Sequence, residues 1–251
     1  MAQFVLVHGA WHGAWCWARV LPLLRAADHV AHAPTLTGVA DRAHLLSPDI
    51  RLNTHIDDVM KLIKFEELDD VVLVGHSYAG MVITGVANAS LKQGSPALQQ
   101  LVYLDAVAPH AGESWSSHQP PETVAACIRA AVVHKGTKVL LPPDAKVFGL
   151  EGADHEWVTR RMTPQPFALY QDTLSFDAGR LSALPRTFID CTSPSLPTLA
   201  EIRSRVQQEK GWWFLELEMG HDAMVSAPGE LADALLSLIH KSTGPATLNQ
   251  D

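Results

Sequence analysis

Short apolar runs alternate with segments of helical period along this chain. Residues 4–7, 71–74, 101–104, 188–189 and 212–217 are rich in β-branched and aromatic side chains, most of them without strict polar alternation. That is the pattern of strands covered on both faces. Between the runs, Trp17, Val20, Leu21 and Leu24 recur at helical spacing, and Leu231, Ala234, Leu235 and Leu238 do the same behind Pro228, which suits a first helical turn. Strand and helix in alternation predict an α/β fold, a mostly parallel sheet flanked by helices.

The alternation lapses over residues 111–184. This stretch carries Gln119-Pro120-Pro121, Leu141-Pro142-Pro143 and Thr163-Pro164-Gln165-Pro166 beside Trp115, Phe148, Trp157, Phe167 and Tyr170. A structureless loop of that length does not suit a compact domain, and its aromatics need burial, so an inserted helical cap over the sheet is expected. The core is then 1–110 with 185–243. Residues 244–251, without periodicity, form a flexible tail.

Composition narrows the partners. With 47% apolar and 18% charged residues in 251, the chain can fill one full-sized core. A formal charge of −8 and no basic cluster argue against nucleic acid or an anionic membrane as partner. Small molecules fit better. The three cysteines, Cys16, Cys127 and Cys191, show no C-x-x-C spacing, so neither a disulfide framework nor a structural zinc is expected. No run approaches ~20 apolar residues and no signal peptide is legible at the N-terminus, so a cytoplasmic protein that does not span a membrane is expected.

Three loops carry the chemistry. The run 71–74 leads into Gly75-His76-Ser77-Tyr78-Ala79-Gly80 and then a helix-compatible segment, the setting of a nucleophile elbow. The positions two before and two after the serine must be small where strand and helix crowd, and Gly75 and Ala79 are; Ala79 stands where the usual motif has glycine. The first run ends in His8-Gly9-Ala10-Trp11-His12-Gly13. A loop there can supply one amide of an oxyanion hole and the residue after the nucleophile the other, making Ala10 and Tyr78 the expected donors. His8 and His12 lack a further ligand at useful spacing, and a structural role is expected for them in place of a metal. Met219-Gly220-His221-Asp222 follows the last run, where His221 can act as general base toward Ser77 and then as general acid.

These motifs resemble the α/β-hydrolase fold of plant methylesterases and hydroxynitrile lyases, and more closely their bacterial esterase-like relatives. The resemblance rests on His8-Gly9-Ala10 with His12-Gly13-Ala14-Trp15-Cys16-Trp17, on Gly75-His76-Ser77, and on His221, Met224 and Pro228. It implies Ser77 as nucleophile, His221 as base, and the Ala10 and Tyr78 amides as oxyanion hole. The triad acid departs from the relatives: methylesterases have a Cys-Thr-Glu-Asp pattern where this chain has Cys191-Thr192-Ser193-Pro194. Asp105, at the end of the 101–104 run and four residues before Pro109, is the favoured substitute, in a position that resembles the acid of haloalkane dehalogenases. Asp190 is the runner-up.

Ester hydrolysis is the expected reaction, on small apolar or aromatic esters and without metal or cofactor. Carbamates and aryl amides are open alternatives because the same triad can attack them. Cyanohydrin cleavage is disfavoured, since related lyases carry a threonine and a lysine where this chain has Ala10 and Asp222, and an anion at Asp222 would oppose a departing cyanide. A non-catalytic small-molecule binder is the reading from another class. Trp11, Trp115 and Trp157 are the expected substrate-binding aromatics.

Overall fold

The computed structural model describes residues 1–94 and 97–241; the expected tail at 244–251 lies outside the described residues. Its strands are β1 (Gln3–Val7), β2 (Val30–His32), β3 (Val71–His76), β4 (Leu98–Leu104), β5 (Val132–His134), β6 (Thr137–Leu140), β7 (Gln165–Pro166), β8 (Arg186–Cys191) and β9 (Trp212–Leu217). Its α-helices are α1 (Leu21–Ala26), α2 (Leu52–Phe65), α3 (Ala79–Gln93), α4 (Pro121–Ala130), α5 (Gly152–Thr159), α6 (Ala168–Gln171), α7 (Ala178–Leu181), α8 (Ala200–Gln208), α9 (Ala223–Ser226) and α10 (Pro228–Lys241).

Six strands form one parallel sheet in the order β2-β1-β3-β4-β8-β9. The continuous apolar runs of β1, β3, β4 and β8 are explained by burial on both faces, whereas β9 departs from the expected double coverage because it is an edge strand, with Trp213 and Glu216 exposed. Successive strand side chains point to opposite sides, so Val5, Leu73, Leu101 and Phe188 face one core with Ile56 and Val59 of α2 and Val82 of α3. Phe4, Val72, Val102 and Ile189 face the other, with Leu24 of α1 and Leu231, Leu235 and Leu238 of α10. Burying each such side chain fully contributes about 1.5–3 kcal/mol. The helical period near the N-terminus divides into a 3₁₀ turn, Ala14–Trp17, and the shorter α1. The apolar stripe runs on through both pieces, with Trp17, Val20 and Leu24 buried.

The 111–184 stretch differs from an all-helical cap. Alongside α4, α5 and α6 it contains an antiparallel sheet in the order β5-β6-β7. β5 and β6 form a hairpin through Lys135 and Gly136, both at positive φ (48° and 79°), as a two-residue turn between twisted strands requires. The end of the stretch returns to the central layer, where α7 packs on α3 and buries Leu181.

Candidate active site

Ser77 occupies the sharp turn between β3 and α3, with φ 55°. A non-glycine residue in this region costs about 1–3 kcal/mol and persists only where its surroundings impose it, as they do here. The Ser77 amide donates to the Leu104 carbonyl at 3.2 Å, while the Ser77 carbonyl accepts from the amides of Gly80 at 3.2 Å and Val107 at 3.0 Å. The elbow is thereby tied to the end of β4 and the loop after it. Crowding explains the small residues. A Cβ on Gly75 would come within 2.8 Å of the Ala79 carbonyl oxygen, and one on Gly80 within 1.7 Å of the Val107 carbonyl oxygen.

His221, in the loop after β9, is buried and sets Nδ1 2.6 Å from Asp105 Oδ2. Asp105 is the first residue past β4, fully buried, and also at positive φ (39°); its amide donates to the Ile189 carbonyl at 2.7 Å. The other carboxylate oxygen accepts from Arg203 Nη2 at 2.9 Å. Arg203 of α8 also donates through Nε to Asp190 and through Nη1 to the Leu196 carbonyl at 2.8 Å. Of the two acids weighed from sequence, Asp105 therefore meets the histidine and Asp190 meets the arginine. Burial raises the Asp190 carboxyl despite Arg203, while Asp105 and Asp190 hold the Arg203 cation against its own burial. Sequence reading missed Arg203, because nothing on α8 marks which arginine turns inward.

Behind Ser77, His221 and Asp105 lies a buried histidine layer. His76 Nε2 donates to the His221 carbonyl at 3.0 Å, and burial, reinforced by His221 and His12, keeps the His76 ring neutral. His8 Nδ1 donates to the Gly9 carbonyl, and its Nε2 accepts the Leu36 amide at 3.0 Å, which requires an unprotonated nitrogen. Burial accordingly lowers His8 to about 3. His12 differs: Nδ1 faces the Ala10 carbonyl at 2.8 Å and Nε2 the Asp222 carboxylate at 3.0 Å. Burial opposes the His12 cation, yet Asp222 raises its pKa above the ordinary value. Both rings are engaged in hydrogen bonds that tie the loop after β1 to its surroundings.

Asp222 corrects one expectation. Its carboxylate does not stand where cyanide would depart: it is fully buried against His12 and does not line the cavity. Opposition to a lyase then rests on the missing threonine and lysine alone. His76, His221 and Asp222 bring three donor atoms within 4.8 Å of one another. Hydrogen bonds to the His221 carbonyl and to Asp105 already occupy His76 Nε2 and His221 Nδ1.

Ser77 and His221 line one cavity of 580 Å³. Trp11, Trp115, Phe148 and Tyr170 wall it, and Leu196 and Ile202 close another side. Trp11, at φ 64°, is anchored by Nε1 donating to the Leu140 carbonyl at 3.1 Å and packs edge-on to Trp115 at 5.7 Å. Trp157 lies elsewhere. It packs on Trp15 at 5.1 Å and against the guanidinium groups of Arg19 and Arg161, so it does not belong to the cavity lining. The ring is drawn to those cations rather than to the cavity. Tyr78 follows Ser77, and the loop that carries Ala10 passes close to it at Gly9, where an added Cβ would come within 2.9 Å of Ser77 Cβ; among the described residues neither the Ala10 nor the Tyr78 amide is spent on a loop or side-chain acceptor. The Tyr78 ring points into the core, its hydroxyl 3.1 Å from His55 Nδ1.

Comparison with known proteins identifies the family. The model of the alpha/beta hydrolase family matches residues 4–234. A carbendazim hydrolyzing esterase from Nocardioides sp. (strain SG-4G) is 41% identical over 245 residues, covering 95% of this chain and 100% of that protein. Methylesterase 1 of Arabidopsis thaliana is 26% identical over 259 residues, covering 95% and 96%. Among solved structures, an extracellular alpha/beta-hydrolase from a Paenibacillus species superimposes with a TM-score of 0.81 at 21% identity, covering 94% of this chain and 98% of that one, a likeness of fold. The chain belongs to the alpha/beta hydrolase family.

Proposed function

We propose that the chain is a serine carboxylesterase acting on small, apolar or aromatic esters through Ser77, His221 and Asp105. The observation that carries this reading is the buried 2.6 Å bond from His221 Nδ1 to Asp105, at the edge of an aromatic cavity that Ser77 also lines. With the proton on Nδ1 directed at the carboxylate, Nε2 is left as the acceptor for the Ser77 hydroxyl proton, and the imidazolium formed is stabilised by Asp105. Ser77 Oγ adds to the acyl carbon, and the oxyanion takes hydrogen bonds from the Ala10 and Tyr78 amides. His221 returns its proton to the leaving alcohol as the C–O bond breaks. Water, deprotonated by His221, then releases the acid and restores Ser77. Positive φ at Ser77 and at Asp105 supports these roles, since imposed backbone strain concentrates where side-chain direction matters.

The Nocardioides relative is named for hydrolysing carbendazim, a carbamate, and this favours carbamates as a second substrate class for the same machinery. Free thiols at Cys16, Cys127 and Cys191 support a reducing, cytoplasmic setting; among the described residues no helix is long and apolar enough to cross a membrane. The test is turnover of p-nitrophenyl acetate, methyl and aryl esters, carbendazim, simple carbamates and aryl amides by wild type and Ser77→Ala. Ester turnover that disappears in Ser77→Ala is expected. Cyanohydrin cleavage without ester turnover would favour the lyase, and saturable ligand binding without turnover the non-catalytic binder.

A further inference from the structure

The acid of this site has a partner of its own. Asp105 presents two oxygens, one to His221 Nδ1 at 2.6 Å and the other to Arg203 Nη2 at 2.9 Å. Arg203 is buried and is itself held at three points: Nε on Asp190, Nη1 on the Leu196 carbonyl, and Nη2 on Asp105. A guanidinium is planar, with its donors in a fixed fork. Fixing Nε and Nη1 therefore fixes the direction of Nη2, and with it the plane of the Asp105 carboxylate. Asp190 projects from β8; by the methylesterase resemblance the triad acid is expected at the place of Pro194, three residues past the strand, and this chain instead keeps a carboxylate within β8 and points it at the arginine.

We propose that Arg203, braced by Asp190, is a positioning residue that fixes the Asp105 carboxylate on His221 and tempers its charge. This deepens the esterase reading and rests on it. Of the two oxygens, the one facing Arg203 shares its charge with the cation. The charge that His221 faces on this side is then one cation against two carboxylates. Leu196, whose carbonyl Arg203 also holds, lines the cavity, so the same side chain links the acid to the cavity wall.

The charged and titratable neighbours can be named. His221 is faced by His76 from the end of β3, at 4.4 Å between ring centroids, and by Asp105 beyond β4; Asp222 follows it in sequence, paired with His12. Around Arg203 and Asp190 stand Asp105, Glu216 of β9 and the thiol of Cys191. Among these groups, Asp105 and Asp190 are the two that take hydrogen bonds from Arg203.

The experiment compares Asp190→Asn, Arg203→Lys and Arg203→Met with wild type by kcat, KM and the pH profile of kcat/KM on p-nitrophenyl acetate. Asp190→Asn keeps an acceptor for Arg203 Nε and removes one anion, so the acidic limb of the profile should move to lower pH with kcat within about 10-fold. Arg203→Met removes the cation, so the limb should move to higher pH, and kcat should fall about 10²-fold through lost alignment while KM changes little. Arg203→Lys, a point charge without the fork, should restore the limb toward wild type but not kcat. Opposed limb shifts support the proposal. Unmoved limbs with kcat within about 3-fold of wild type in both Asp190→Asn and Arg203→Lys would overturn it, whether or not Arg203→Met folds. A readout without turnover separates this proposal from the esterase reading: the downfield proton resonance of His221 Nδ1–H, seen by NMR. It should move in Asp190→Asn and Arg203→Lys even if Ser77-dependent turnover is never found, and its constancy in both would count against the role of Arg203.

Discussion

Replacing Asp105 by asparagine isolates the contribution of the acid, and the surroundings dictate what the new amide must do. Arg203 Nη2 is a donor with no acceptor capacity, so in the Asp105→Asn variant it draws the one remaining side-chain oxygen toward itself. The NH2 group then faces His221 Nδ1. To accept from it, the imidazole must carry its proton on Nε2, the tautomer unable to take the proton of Ser77. Loss of the correct tautomer costs about 10⁴-fold in kcat in a triad of this kind, about 5.4 kcal/mol at about 1.36 kcal/mol per tenfold. KM should stay within a few-fold, because Asp105 is fully buried and absent from the cavity lining. The assay is steady-state p-nitrophenyl acetate hydrolysis by Asp105→Asn and Asp190→Asn, with near-UV circular dichroism to verify folding. A folded Asp105→Asn that keeps kcat within about 10-fold of wild type, or an Asp190→Asn that loses more than Asp105→Asn, would overturn Asp105 as the acid.

Further outcomes follow from packing and protonation. Gly80→Ala places a methyl 1.7 Å from the Val107 carbonyl oxygen and should destabilise by about 3 kcal/mol or more, read as a lowered urea midpoint. Trp115→Ala should raise KM for aryl esters about 10-fold by removing an aromatic wall, whereas Trp157→Phe should leave KM unchanged, since that ring packs against Arg19 and Arg161. Burial lowers His8 to about 3 and His55 to about 4, so each is neutral in the fold while the unfolded chain protonates near 6.5. Their stabilisation is present above pH 6.5 and is lost as pH falls toward the folded values, at about 1.4 kcal/mol per pH unit for each. The raised His12 works in the other direction, giving stability that is present below 6.5 and is lost as pH rises through its folded value. Urea midpoints at about pH 7 and about pH 5 should show a net fall, and His55→Asn should flatten it.

How far the molecule could be read from its sequence depended on where each signal resides. Apolar runs located β1, β3, β4, β8 and β9, although only the inner residues of β4 and β8 stood out; the first four are buried on both faces, whereas β9 lies at the sheet edge and leaves Trp213 and Glu216 exposed. β2 escaped because its three residues, Val30, Ala31 and His32, sit at a sheet edge and carry no periodicity. In the inserted stretch, Lys135-Gly136 between two valine-containing segments was a usable hairpin signal, overshadowed by the surrounding prolines. Local motifs led to Ser77 and His221, and an end-of-strand position to Asp105. The positive φ of Asp105 and the inward turn of Arg203 are products of tertiary packing and leave no local trace. Trp157 was misplaced for a related reason: an aromatic in an inserted segment looks the same in sequence whether it faces a cavity or two arginines.

The proposed reaction requires Ser77 to be a nucleophile activated by His221. A fluorophosphonate, which phosphonylates activated serines, tests it most directly when the labelled chain is digested and its peptides are mapped by mass spectrometry. One adduct per chain is predicted, on the peptide carrying Ser77, formed far more slowly in His221→Ala and absent in Ser77→Ala. Ester turnover in wild type with no adduct at Ser77, or with the adduct on another residue, would overturn Ser77 as the nucleophile.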